Sequence, residues 1–226
     1  VMLYQMIDDV AANAESSRNG KDGGLVGGGV AVTGIPIGGR FGEEVDGGGV
    51  RRRMGLRDDL PTLLVLSGGF GMGPVGEMVA ALDGVGAEFQ VVVVTGRNAE
   101  LRGELAVRDA RHPTRVLGYV ANMHELMGVA DLVMSKPGGL TTSEACALGK
   151  PLFILDPIPG QEAANSDFLL ERGAAVKVNR VEDLAYRVEE LLASGKLKEM
   201  SRLARKLGKP GAARAVCEEV MRRMGR

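Results

Sequence analysis

Three glycine-marked runs in this 226-residue chain carry the residues whose types and spacing suit chemistry. The first, Ser67 to Pro74, reads SGGFGMGP. Gly68, Gly69 and Gly71 let backbone amides approach an anion closely, and the helix expected after them offers a positive N-terminus. The run has no Gly-Lys-Ser/Thr and does not complete GxGxxG, so neither a P-loop nor a dinucleotide fingerprint fits. A tight turn is the plain alternative. The second, Ser135 to Gly149, turns at Pro137-Gly138-Gly139. Leu140, Thr141 and Thr142 then open a helix whose free amides suit a diphosphate. Thr141, Thr142 or Ser143 is expected to cap that helix. Glu144 is expected just inside the first turn, where the dipole favours a carboxylate that can accept from ribose hydroxyls. A helix-start glutamate with no ligand is its alternative. The third, Asp156 to Asn165, is stiffened by two prolines. It presents Gln161 and Glu162 at a helix start, a donor–acceptor pair suited to sugar hydroxyls, with Asn165 one turn on. A capping arrangement is the alternative there.

Smaller candidates lie between these runs. Arg97, in TGRN, is placed to reach a phosphate or to make a surface ion pair. Tyr119, Val120 and Met123, in GYVANM, can pair backbone with a base edge and pack on its ring, or serve as core. Lys136 precedes the glycine turn and can neutralise phosphate or remain a surface charge. His112, His124 and Cys146 read as ordinary structural residues.

The elements that must position these residues are a repeated strand–helix alternation. Candidate strands are Thr62–Ser67, Gln90–Gly96, Arg115–Val120, Ala130–Ser135, Pro151–Asp156 and Ala174–Val178. Each is continuously apolar, as strands buried on both faces are. Candidate helices are Val75–Asp83, Ala99–Asp109, Met123–Val129, Thr141–Leu148, Gln161–Glu171, Val181–Ala193, Leu197–Leu207 and Ala212–Met224. This order predicts an α/β fold, a Rossmann-like doubly wound parallel sheet of about six strands. Ligands then bind beyond the carboxyl ends of the strands, where the three runs fall. Residues 1–55 are read as a glycine-rich entry segment and 56–226 as the binding domain. Thirteen of the 34 glycines lie between Gly20 and Gly49, so this stretch is expected to be poorly packed and not helical. VAVTGIPI, Val30 to Ile37, is its one candidate strand.

Composition narrows the function. Lysine plus arginine is 28 against 29 acidic residues, which argues against a nucleic-acid binder. No apolar run approaches the ~18–20 residues of a membrane span, and the first residues lack signal-peptide character. Two distant cysteines and two histidines argue against a disulfide framework or a metal site and point to a reducing, cytosolic setting. The basic, amphipathic stretch from Lys196 onward reads as a solvated helix face or as a contact for anionic lipid headgroups.

Taken in order, GGFGMGPV, TGRN, GYVANMHELMGVADLVMSKPGGLTTSEACALG and PIPGQEAANSDFLLERGAA resemble the C-terminal donor domain of glycosyltransferase family 28. Within it the likeness is to diacylglycerol β-glucosyltransferases and monogalactosyldiacylglycerol synthases. The resemblance runs from about Val32 to the C-terminus. It implies the C-terminal half of a GT-B fold, an inverting mechanism, UDP-glucose or UDP-galactose as donor, and neither metal nor cofactor. It implies diphosphate held by the amides of Gly138, Gly139, Leu140 and Thr141, ribose by Glu144, and uracil by Val120 beside Tyr119 and Met123. It also implies a donor hexose read by Gln161 and Glu162, and a cleft lined by Gly68 to Gly71. The implied acceptor is diacylglycerol or a glycosyl-diacylglycerol at the inner face of the cell membrane. Family members carry an acceptor domain before the segment that VTGIPI resembles; 31 residues precede Val32 here, and none of them resembles it. The catalytic base is expected in that domain, so no residue of this chain is assigned as catalytic. Alternatives are a UDP-sugar-binding subunit working with a separate acceptor-domain partner, a UDP-N-acetylglucosamine-using member, a GT-B epimerase, and a nicotinamide-binding Rossmann domain.

Overall fold

The computed structural model describes residues 31–67, 74–155 and 157–225. Six parallel strands form one sheet: β1 (Thr62–Leu66), β2 (Gln90–Val94), β3 (Thr114–Leu117), β4 (Leu132–Ser135), β5 (Leu152–Leu155) and β6 (Ala175–Val178). Their spatial order is β3-β2-β1-β4-β5-β6, the doubly wound arrangement expected from the alternation. Register is continuous across the centre, with Leu64 beside Val92 on one side and Val133 on the other. The nine α-helices of the described residues are α1 (Gly47–Met54), α2 (Val75–Leu82), α3 (Ala99–Ala106), α4 (Met123–Val129), α5 (Gly139–Ala147), α6 (Gln161–Glu171), α7 (Leu184–Ala193), α8 (Leu197–Leu207) and α9 (Ala212–Arg223).

Successive strand residues point to opposite faces, and both faces are covered. Leu63, Val65, Val91, Val93, Leu132, Met134 and Phe153 meet α2 and α7 through Val75, Met78, Val79, Leu184 and Val188. On the other face Leu64, Val92 and Val133 meet α1 and α4 through Val50, Leu126 and Met127. Leu152 and Ile154 meet α5, α6 and α8 through Ala145, Phe168, Leu169 and Ala204. Double burial explains why these strands carry apolar runs without polar alternation.

The entry segment departs from expectation. Residues 31–38 form no strand, and Val30 with the rest of 1–30 lies outside the described residues. The sheet edges are taken by β3 and β6, so this segment instead passes over the start of α9; a Cβ on Gly34 would crowd Lys209 and Ala212. Gly47–Gly49, the end of the stretch expected not to be helical, open α1. Its glycines sit in the first turn, where Asp46 accepts from the Gly49 amide at 2.9 Å, and a Cβ on Gly49 would collide with that carboxylate. Arg51 then ties α1 to the sheet, donating to Thr62 Oγ1 (3.2 Å) and the Val129 carbonyl (3.1 Å) and pairing with Asp131 (3.5 Å). Tertiary contacts outweigh the glycine penalty of ~1 kcal/mol per residue, and Phe41, Val45, Val50 and Met54 join the core that was expected to begin at residue 56. At the other end, α8 closes on α5: Ser201 and Arg205 donate to the carbonyls of Gly149 (2.6 Å) and Leu148 (2.9 Å).

Candidate functional site

The sheet order reverses between β1 and β4, and in such folds the crevice beyond the strand ends at that point takes the ligand. A cleft of about 340 Å³ opens there. Its walls are Leu66 and Ser67 after β1, Val94, Gly96 and Arg97 after β2, Tyr119 and Val120 after β3, Met123 and Met127 of α4, and Thr141 and Glu144 of α5. Six of the residues singled out in the sequence therefore meet in one place: Arg97, Tyr119, Val120, Met123, Thr141 and Glu144. Ser67, the first residue of the first glycine-marked run, joins them, as do Leu66, Val94 and Gly96 at strand ends and Met127 inside α4, whose apolar or small side chains carried no signal of their own. Gly68, Gly69 and Gly71 lie outside the described residues.

Short strands explain how the loops reach the cleft. β2 stops at Val94, and Gly96 takes a positive φ of 59° that turns Arg97 outward, exposed at the wall. Asn98 is used differently, capping α3 by accepting from the Leu101 amide at 3.0 Å. β3 stops at Leu117, earlier than Val120, so Gly118 to Val120 leave the sheet and Tyr119 and Val120 line the cleft. Tyr119 is 73% exposed, which argues against the core alternative for it, while Met123 packs on the core beneath the cleft.

Helix α5 begins two residues earlier than expected. Gly138 is its N-cap residue and no side chain caps it, so neither Thr141, Thr142 nor Ser143 acts as predicted. Thr142 and Ser143 are buried instead, against α5's neighbours. The Thr142 amide bonds the Gly138 carbonyl (2.9 Å), which leaves the amides of Gly139, Leu140 and Thr141 without an acceptor among the described residues. Three free amides at a helix start form an anion-binding cradle. The early start also moves Glu144 to the second turn, away from the strongest part of the dipole. Its carboxyl is half-buried and no hydrogen bond or ion pair from a described residue ends on it. Burial pushes its pKa from 4.5 up to about 7, opposite to the dipole stabilisation expected. Lys136 shares a small hollow with Ser67 and Ser135 between the ends of β1 and β4.

The third run behaves otherwise. Gln161 opens α6 and is exposed. Glu162 accepts from the Ile158 amide at 3.0 Å, the local capping alternative. Asn165, 4% exposed, turns away from solvent and donates to the Pro137 carbonyl at 2.9 Å. None of the three lines the cleft, and of them Asn165 reaches the turn before α5. His112 stacks on Phe89, His124 lies edge-on to Phe41, and Cys146 is buried with its thiol pushed up to about 12, all structural as read.

A cleft at the switch point of a doubly wound parallel sheet, with a helix start on one wall, is the architecture of a Rossmann-type domain. Residues 62–216 match the model of the glycosyltransferase family 28 C-terminal domain, and the chain belongs to that family. It is 37% identical over 196 residues to a processive diacylglycerol beta-glucosyltransferase of Bacillus pumilus, covering 85% of this chain and 51% of that protein. It is 35% identical over 172 residues to a probable chloroplastic monogalactosyldiacylglycerol synthase of Glycine max, covering 72% and 32%. The chain thus spans about half the length of the Bacillus relatives it matches. Among solved structures it superposes on MurG of Acinetobacter baumannii (TM-score 0.64, 20% identity, 80% of this chain and 55% of that one). It also superposes on Anabaena HepE in complex with UDP-glucose (TM-score 0.58, 17% identity, 77% and 52%). The fold is that of the C-terminal half of GT-B glycosyltransferases. Among the described residues no helix is long and apolar enough to cross a membrane.

Proposed function

We propose that this chain is the donor-binding half of an inverting glycosyltransferase that moves glucose or galactose from a UDP-sugar to diacylglycerol or a glycosyl-diacylglycerol. The observation that carries the reading is the meeting, in one cleft, of Thr141 from the uncapped start of α5, the half-buried Glu144 and the Tyr119–Val120–Met123 wall. In this reading uracil lies along Tyr119, Val120 and Met123, and Glu144 accepts from the ribose hydroxyls. The diphosphate sits on the amides of Gly139, Leu140 and Thr141, with Arg97 and Lys136 as nearby cations. The hexose extends toward Gln161 and Glu162. Attack of the acceptor hydroxyl on the anomeric carbon breaks the bond to UDP, and the charge that develops on the diphosphate is stabilised by preorganised amides, without a metal. The proton of the attacking hydroxyl goes to a base outside this domain, in an acceptor-binding half or a separate partner protein at the inner membrane face.

Calorimetric titration with UDP, UDP-glucose, UDP-galactose and NADH tests the reading, with Glu144→Ala as control. UDP binding that the substitution weakens supports it. A folded chain that binds NADH and not UDP overturns it.

A further inference from the structure

Asn165 is the polar residue whose placement the sequence leaves least explained. It is the fifth residue of α6, too deep to cap its own helix. Asparagine is unfavourable inside a helix, and burying its amide is unfavourable unless it is hydrogen-bonded. Its neighbours along α6, Phe168 and Leu169, pack into an apolar cluster with Ala145 and Ile154, where an aliphatic side chain would suit the packing as well. The amide is nonetheless there, 4% exposed, donating to the Pro137 carbonyl at 2.9 Å.

That carbonyl controls how α5 begins. In an α-helix each amide bonds the carbonyl four residues back, so the acceptor awaiting the Thr141 amide is Pro137. With Gly138 turned into the helical region, α5 would start one residue earlier, with Pro137 as its N-cap residue and the Pro137 carbonyl accepting from the Thr141 amide. It does not: Gly138 stays extended (φ −62°, ψ 147°) and the Thr141 amide remains free. The bond from Asn165 holds the Pro137 carbonyl toward α6, where it is out of reach of Thr141.

We propose that Asn165 is a positioning residue that keeps the Gly139–Thr141 amides open to the donor diphosphate and locks the start of α6 to that cradle. This rests on the donor-site reading above. It also couples the two ends of the donor. The hexose side, carried by Gln161 and Glu162, cannot shift without moving the turn that holds the phosphates.

Titration of the wild-type chain, Asn165→Ala and Asn165→Leu with uridine and with UDP separates the possibilities. Leucine keeps the buried volume, so loss of packing is distinguished from loss of the amide, and melting curves report folding. The expected result is UDP affinity weaker by about tenfold in both variants, the scale of one lost hydrogen bond to a buried group, with uridine affinity within about twofold of wild type. UDP binding unchanged in a folded Leu variant overturns the positioning role. So does an equal loss of uridine and UDP, which would mean a general disturbance of the cleft. A wild-type chain that binds neither ligand overturns the donor-site reading itself, and the positioning role with it.

Discussion

Glu144→Gln keeps the shape of the side chain and removes its charge. The carboxyl is half-buried beside the cleft, and burial raises its pKa from 4.5 to about 7. An acid whose folded pKa lies above its unfolded value binds more protons when folded. Stability then falls as pH rises from about 4.5 through about 7, and the whole cost is present above that window. The full shift corresponds to about 3 kcal/mol; solvent screening at a half-exposed carboxylate reduces this to roughly 1–2 kcal/mol. Glutamine should therefore stabilise the chain at pH 8 by roughly 1–2 kcal/mol, raising Tm by about 3–6 °C for a domain of this size. At pH 4.5 the two proteins should melt together. Binding should move the other way. In the proposed reading ribose hydroxyls donate to the carboxylate and favour its charged form, so wild-type affinity for UDP-glucose, whose diphosphate does not titrate near pH 7, should rise through pH 7 and level off above it. The glutamine variant should bind about tenfold more weakly at pH 8, as expected for losing a charge-assisted hydrogen bond, and show no inflection near 7. Thermal melts and calorimetric titrations between pH 5 and 8 measure both. A glutamine variant less stable than wild type at pH 8, or a Tm difference independent of pH, would refute the argument that Glu144 is an uncompensated charge kept for a ligand.

Tyr119→Ala should leave Tm within about 1 °C, since the ring is 73% exposed, and weaken UDP by about five- to tenfold through loss of ring packing, roughly 1 kcal/mol; calorimetry with UDP reads this directly. Arg51→Ala should destabilise by about 2–3 kcal/mol, because the Val129 carbonyl and Asp131 lose their common partner and α1 its anchor. Urea unfolding of the variant measures that loss, and UDP affinity should be unchanged in the fraction that remains folded.

Much of the fold was legible because the sheet is buried on both faces. Burial on two sides demands continuous apolar runs, so β1, β2, β4 and β5 stand out as LLVL, VVVV, LVM and LFIL. The alternation with helices then dictates parallel strands and places the glycine-marked runs at one edge. For the same reason the residue types of the cleft could be read in advance: anion cradles need glycine and helix starts, and these sit where strand meets helix. The family could also be read from the order of the motifs.

What tertiary structure decided lies where a local rule met a distant partner. α1 forms against its glycine content because Arg51 reaches Thr62 and, far along the chain, Val129 and Asp131, the last two contacts invisible to any local window of sequence. α5 starts at Gly139, and that two-residue shift takes Glu144 out of the first turn and turns an expected dipole-stabilised carboxylate into a desolvated one. Asn165 reads in sequence as a third sugar contact beside Gln161 and Glu162; in the fold it holds Pro137, 28 residues away. The residue types and their order determine which chemistry is present. Helix boundaries, side-chain direction and proton affinity depend on contacts between segments distant in the chain, and those exist only once the sheet has assembled.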